Sequence, residues 1–452
     1  LKEFYYIMGK QIQKRNGDLV PFDSIKILNA IHRASTASED HLTPADLSYL
    51  TQKVCDAVED VEVPTVEQIQ DIVEAMLIRY DFASTAKAYI LYRAEHAKIR
   101  STAFDLMNIY ERLTYSSAKS ENIKRENANI DGDTAMGTML RYGSEGSKYF
   151  ITNYVLPKDI GAAHTNGDIH IHDMDFYMLT ETCCQIDLIR LFKSGFSTGH
   201  GYVREPQSII TYAALACIVI QANQNEMHGG QSLPNFDYAM AEGVSKTYTK
   251  EYFKALRSFV EVRLRYDRQK AETLEKVLRN AVTFPLKMGQ EQTYLDAFRQ
   301  LPLEDSLKEN LDEMHSFCTE QAMQYAEEQT RQAMQSLIHN LNTMHSRAGA
   351  QVPFSSINYG TDTSPEGRMV IRNLLESTID GLGAGETPIF PVQIFKVKEG
   401  VNYNPGDPNY DLFQLAIKTS AKRLFPNFSF IDAPFNLSYY KEGDPNTEVA
   451  YM

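Results

Sequence analysis

No CxxC pair occurs anywhere in this 452-residue chain, whose five cysteines are Cys55, Cys183, Cys184, Cys217 and Cys318. No cysteine-built zinc site is therefore visible, and an odd count without disulfide-like spacing fits a reducing compartment. No apolar run approaches membrane-spanning length, and the lysine-containing start LKEFYYIMGK is not a secretory signal. The expected setting is the cytoplasm, with no membrane partner. Positive charge is in deficit: 45 Lys and Arg against 59 Asp and Glu give a formal charge of −14. That argues against a nucleic-acid backbone as partner. It leaves nucleotides open, because they need only a few local cations. There is no Walker motif, dinucleotide fingerprint, internal repeat or low-complexity segment. The first residue is leucine and not methionine, so a start further upstream is expected.

What is present is ordinary for a folded protein, with 43% hydrophobic and 23% charged residues. The length allows two to three domains, or one small domain and one large barrel, with a core that needs no staples. Residues 10–22 alternate around Asn16-Gly17, which predicts a β-hairpin with a type I′ turn. Asp23 is placed to cap a helix carrying Ile27, Leu28 and Ile31 on one stripe. Thr65 and Gln68 have capping-box spacing and open a second helix with Ile69, Val73, Met76 and Leu77 inward. A third helical run extends from about Thr85 to Leu113. The polar stretch 120–133 reads as a boundary. Beyond it, helical periodicity dominates 235–283 and 302–349, while GDIHIHD, PFSSINYG and TPIFPVQIFKVK read as strands or strand ends. Strands alternating with helices predict an α/β barrel or wound sheet.

Four clusters could carry chemistry. Lys14, Arg15 and Lys26 lie about a hairpin and a helix start, where they could neutralise a triphosphate or simply be solvated. In HIHD, a strand would turn His170 and His172 the same way. They could be metal ligands, as in barrel hydrolases, or hydrogen-bonded core histidines, or His172 and Asp173 could wall a substrate pocket. No further histidine-rich ligand set accompanies them, and no metal site is assigned. In TCCQIDL, Cys183 and Cys184 would point to opposite sheet faces, so at most one lines a given pocket. The alternative is two small buried hydrophobes. For hydrogen-atom donation the neutral S–H is the useful form, and a reference pKa of roughly 8.5 favours it at neutral pH. QNEMHGGQS (224–232) and GFSTGHG (195–201) permit either phosphate cradling or tight turns.

The order K-R-N-G, then Phe22, then K-I with apolar residues at helical spacing, then AKAYILYR, resembles the ATP-cone. That regulatory module is found at the N-terminus of many ribonucleotide reductases, and the match covers roughly residues 9–100. From about residue 120, a second series occurs in order: ENANIDGDTAMGTMLRYGSEGSKYF, GDIHIHDMDFYMLTETCCQIDL, STGHGYVREPQSI, QNEMHGGQSLPNFD, VPFSSINYG, TPIFPVQIFK and FPNFSFIDAPFN. It resembles the catalytic domain of anaerobic (class III) ribonucleoside-triphosphate reductases.

The resemblance implies an ATP-cone in residues 1–105, mainly helical with a β-hairpin. Residues 106–452 are then part of a ten-stranded α/β barrel of the glycyl-radical type. It implies that Lys14, Arg15, Lys26 and, more weakly, Lys87 hold ATP or dATP phosphates. It makes Cys183, three residues before Ile186, the barrel-wall cysteine that gives hydrogen to the substrate radical. His172 and, with less support, Asn129 contact the substrate. A second cysteine, zinc-binding cysteines and a radical glycine are expected C-terminal to Met452, so these residues alone are expected not to turn over. Formate is the expected reductant and a dithiol protein the alternative. The expected partners are ribonucleoside triphosphates, an iron–sulfur activating enzyme using S-adenosylmethionine, and a second copy of the chain or more. Three rivals remain: a glycyl-radical lyase of the pyruvate formate-lyase type, a metal-dependent hydrolase built on His170 and His172, and a non-catalytic nucleotide-binding regulator.

Overall fold

The computed structural model describes residues 10–115, 134–177, 180–181, 183–347, 350–444 and 447–448. The chain divides at Arg112 into two compact units. The first contains strands β1 (Gln11–Gln13) and β2 (Leu19–Pro21) and helices α1 (Ser24–Thr36), α2 (Pro44–Val58), α3 (Val66–Arg79) and α4 (Ala83–Tyr115). β1 and β2 pair antiparallel, Ile12 opposite Val20. The turn is not the expected type I′. Only Gly17 takes a positive φ, 89°, while Gly17 N–H donates to Lys14 O and Lys14 N–H to Asp18 O. One left-handed residue in a three-residue loop is a type I turn closed by a bulge, and glycine fills that position without strain.

Local sequence explains the helix starts. The Asp23 side chain accepts from Ile25 N–H at the head of α1, and Thr65 with Gln68 forms a capping box at the head of α3. Their buried stripes, Ile27 and Ile31 in α1 and Ile69, Val73 and Leu77 in α3, join Phe22, Leu50, Val54 and Tyr89 in one core.

The second unit opens with α5 (Ala135–Phe150), a π-turn (Ile151–Val155) and α6 (Lys158–Asn166). GDIHIHD, expected as a strand, is a loop instead. Gly167 ends α6 in the left-handed conformation, and Asp173 takes φ 50° before a 3₁₀ turn at Met174–Phe176. His170 and His172 therefore do not share a strand face. The apolar–polar alternation was real, but Gly167 and the turn-forming Asp173 break the extended backbone.

The order is then β3 (Cys184–Gln185), α7 (Leu188–Ser194), β4 (Phe196–Ser197), β5 (Tyr202–Val203), α8 (Ile209–Asn223), β6 (Gln231–Leu233) and α9 (Phe236–Arg263). Four helices follow: α10 (Arg268–Asn280), α11 (Glu291–Arg299), α12 (Asp305–Glu309) and α13 (Leu311–Thr343). The unit ends with β7 (Ser355–Tyr359), α14 (Pro365–Asp380), β8 (Val392–Val397), α15 (Tyr410–Arg423), β9 (Asn427–Phe430) and α16 (Pro434–Leu437). Strands β3-β6-β7-β8-β9 form one five-stranded sheet, parallel throughout.

Its two faces differ. Leu233, Ile357, Tyr359, Phe395 and Val397 alternate onto one face and join the core made with α8, α9, α13 and α14. Side chains such as Tyr248, Phe253 and Leu256 of α9 are fully buried there. Phe253 and Leu256 each contribute roughly 1.5–3 kcal/mol by leaving water. The other face carries Ser232, Ser356, Asn358, Ile394, Lys396 and Ser429. That face is polar yet largely buried.

Helix α14 must start close to the end of β7. A Cβ on Gly367 would lie 2.2 Å from Asp362 Cγ, inside van der Waals contact. Gly367→Ala is expected to cost roughly 1–3 kcal/mol, as overpacking does. Urea titration against the parent measures it, and an unchanged midpoint would refute the contact.

Candidate active site

In an open parallel sheet, ligands gather beyond the carboxyl ends of the strands. Here those ends bring together Asn235 and Asp237 after β6, Gly360, Thr361 and Asp362 after β7, and Lys396 and Lys398 on and after β8. Asp237 is fully buried, and its Oδ2 accepts from the N–H of Gly360 (2.8 Å), Thr361 (3.1 Å) and Asp362 (3.1 Å). Gly360, at φ 126°, sits against the Lys396 backbone, 3.0 Å from its carbonyl oxygen at the Cβ position. Burial, and then the neighbouring Asp237 carboxylate, push the Asp362 carboxyl up to about 6.

Lys396 is fully buried. Its Nζ donates to Asn235 Oδ1 (2.7 Å) and Glu448 Oε2 (2.8 Å). Thr361 Oγ1 also donates to Glu448, at 2.5 Å. Burial raises the Glu448 carboxyl, but Lys396, Thr361 and Lys398 more than offset this and hold it below the usual range. Ser356 is 2% exposed, and its hydroxyl has no hydrogen-bond partner. A buried donor without a partner on a polar face suits a site that receives a ligand.

The two adjacent cysteines separate. Cys184 lies in β3 opposite Gln231. Its Sγ stands 3.2 Å from Met227 Sδ and receives an N–H from Asn223 Nδ2 at 3.2 Å. Burial raises this thiol, partly offset by Asn223. Cys183 is exposed. It immediately precedes β3, at the amino end of the sheet, and strand alternation continued through it predicts the side of Gln185, which pairs with Ser232 of the polar face.

His172 is 84% exposed, with Nε2 3.5 Å from Asp173 Oδ2. The same carboxylate meets His228 Nε2 at 3.0 Å through Oδ1. The His228 ring stacks on Phe176 at 3.8 Å between centroids. The Asp173–His228 pair was missed in the sequence, although both residues stood in quoted motifs, HIHD and MHGG, 55 positions apart. The His170 and His172 rings are 5.8 Å apart. Among the described residues no three His, Cys, Asp or Glu side chains are grouped to hold a metal. Asn129 lies outside the described residues.

In the first unit, Lys14, Lys26 and Lys87 are exposed. Arg15 is engaged by Glu67 (2.5 Å) and Gln70 (2.8 Å). Glu67 also accepts from Arg93 (2.7 Å), which binds Asp71 and Glu74 as well. Arg93 is the closing residue of AKAYILYR, and its place beside the hairpin was not foreseen. Arg93 first, then Arg15, holds the Glu67 carboxyl below its usual range against a modest burial effect.

The family model described as "Anaerobic ribonucleoside-triphosphate reductase" matches residues 126–452. The chain belongs to that family. Residues 10–98 match the ATP cone domain. Among the family's curated members, the anaerobic ribonucleoside-triphosphate reductase of Escherichia coli (strain K12) is 28% identical over 424 residues. That alignment covers 93% of this chain and 51% of that protein. The reductase of Enterobacteria phage T4 is 29% identical over 311 residues, covering 68% of this chain and 42% of that protein. The chain thus spans about half the length of the curated relatives it matches. Among solved structures, the anaerobic ribonucleotide reductase from Thermotoga maritima in complex with dATP and CTP aligns with a TM-score of 0.42 at 13% identity. That alignment covers 75% of this chain and 50% of that one. The family match contains all five strands of the parallel sheet and the residues at their ends, so the polar face lies wholly within it. No helix among the described residues is long and apolar enough to cross a membrane.

Proposed function

We propose that this chain carries the effector-binding part and a portion of the catalytic barrel of an enzyme that reduces ribonucleoside triphosphates to 2′-deoxyribonucleoside triphosphates. The observation that carries the reading is the family match over 126–452, and the polar, buried sheet face supports it. Residues 1–105 form the cone and 106–452 the barrel domain. The five parallel strands are one half of a ten-stranded barrel, and β1–β2 is the cone's hairpin.

Cys183 donates a hydrogen atom to the substrate radical. Its S–H bond breaks homolytically, a C–H bond forms on the sugar, and the sulfur keeps the unpaired electron. The neutral thiol is the form required. His172, oriented through Asp173, contacts the substrate, and Asn129 does so from outside the described residues. The reaction draws on a glycyl radical, set by a radical-SAM iron–sulfur activating enzyme, and on a structural zinc. Formate supplies the reducing equivalents. The protein works in the cytoplasm as a homodimer or larger oligomer, away from membrane and nucleic acid.

ATP and dATP act on the cone through Lys14, Arg15, Lys26 and Lys87. The two effectors differ by one hydroxyl, which only a site that hydrogen-bonds it can read strongly. Isothermal titration tests the assignment. Lys14→Ala and Lys26→Ala are each expected to weaken dATP binding about tenfold, the loss of roughly one charge-assisted contact. Parental affinity in both variants would overturn it. Deoxyribonucleotide formation by the full-length gene product after anaerobic activation tests the reaction itself.

A further inference from the structure

The stretch after α16 is held to the strand ends at two points by lysines from a single strand end. Lys398 Nζ donates to Tyr440 OH at 2.7 Å and lies 4.1 Å from the ring centroid. Lys396 Nζ donates to Glu448, which also meets Lys398 Nζ at 3.4 Å. The loop between these points is tied at its base. Lys441 N–H donates to Thr447 Oγ1 (2.7 Å), whose hydroxyl faces Asp444 O at 2.7 Å and Lys441 O at 3.1 Å. Tyr440 and Glu448 therefore leave the loop side by side.

Glu448 is 7% exposed and Lys396 not at all. A buried ion pair is a poor source of stability, because apolar replacements of similar volume often do as well or better. What it supplies is direction. Lys396 cannot keep Asn235 and Glu448 together unless β6, β8 and residue 448 are all in place. Thr361 adds the end of β7 to the same carboxylate.

We propose that Lys396 is a positioning residue that clamps Tyr440 and Glu448 across the carboxyl ends of β6, β7 and β8, and so fixes the groups gathered at those ends. This rests on the functional reading given above, and it adds a role for Lys396 and Glu448 that no contact with the substrate requires. Substitution of either partner should release the segment without unfolding the sheet, and should slow turnover without weakening substrate binding.

The experiment uses the full-length protein, activated anaerobically, with Glu448→Gln and the apolar pair Lys396→Met/Glu448→Leu. Hydrogen exchange at the amides of Tyr439, Tyr440 and Lys441 reads the clamp. The proposal expects at least tenfold faster exchange there in both variants. It also expects a tenfold or greater fall in kcat with KM within about twofold. The apolar pair should regain the parental melting temperature without regaining kcat. Parental exchange in Glu448→Gln, or recovery of kcat by the apolar pair, would overturn the proposal. A parent protein that makes no deoxyribonucleotide would defeat the functional reading instead, while the exchange rates would still decide whether the clamp exists.

Discussion

Asp237→Ala is expected to lower the unfolding free energy by roughly 3–9 kcal/mol. One buried oxygen satisfies three backbone N–H groups at the end of β7. Removing it strands all three where water does not reach, at about 1–3 kcal/mol each. Asp237 also stands in the first turn of α9, where a negative charge is favoured. Urea titration gives the value, and a loss below about 1 kcal/mol would mean the three amides find other acceptors.

The neighbouring Asp362 gives this prediction a pH dependence. Its carboxyl titrates near 6 in the folded chain against 3.8 for the ordinary group. The folded state therefore binds that proton more tightly than the unfolded chain does. The resulting stability is complete below about 3.8 and disappears as the pH rises through 6. Asp362→Asn, which cannot ionise, should gain on the parent between pH 4 and 7, by about 2–3 kcal/mol at most. Most of this comes from burial, so Asp237→Asn should remove only part of it. A stability difference that stays flat over that range would sink the account.

The second large effect separates the two cysteines. Cys183→Ala is expected to cut nucleotide reduction by about three orders of magnitude or more, the scale of losing a group that acts in the chemical step. Effector binding should be untouched. Cys184→Ala should stay within about tenfold of parental turnover and cost about 1 kcal/mol of stability, since its thiol packs on Met227 and Asn223. The discrimination is by side of the sheet. The test is single-turnover deoxyribonucleotide yield for each variant. If Cys184→Ala is the inactive one, the alternation between β3 and β6 does not carry through to position 183.

Capping and hairpin signals were legible because they are local. Asp23, Thr65 with Gln68, and Asn16-Gly17 needed only their neighbours, and even there the turn type depended on which residue took the positive φ. β7 and β8 were readable as short segments between turn residues, β8 the more clearly for its Val392, Ile394, Phe395 and Val397. GDIHIHD was misread because alternation cannot show that Gly167 ends a helix and Asp173 turns the chain. The groups at the strand ends were hidden for a different reason. Asn235, Thr361, Lys396 and Glu448 span more than 200 positions and carry no mutual spacing, and only the parallel register joins them. A lysine inside a strand otherwise apolar but for Gln393 was the one signal on offer, since a fully buried lysine demands a partner.

The order of strands has a consequence for synthesis. β3, β6, β7, β8 and β9 stand in the sheet in the order they occur in the chain. Each newly made strand can dock on the free edge left by the one before, with its helices covering the same side, and none has to wedge between two already paired. The sheet can therefore be assembled progressively as the polypeptide leaves the ribosome. At each stage the open edges are that of the newest strand and the outer edge of β3.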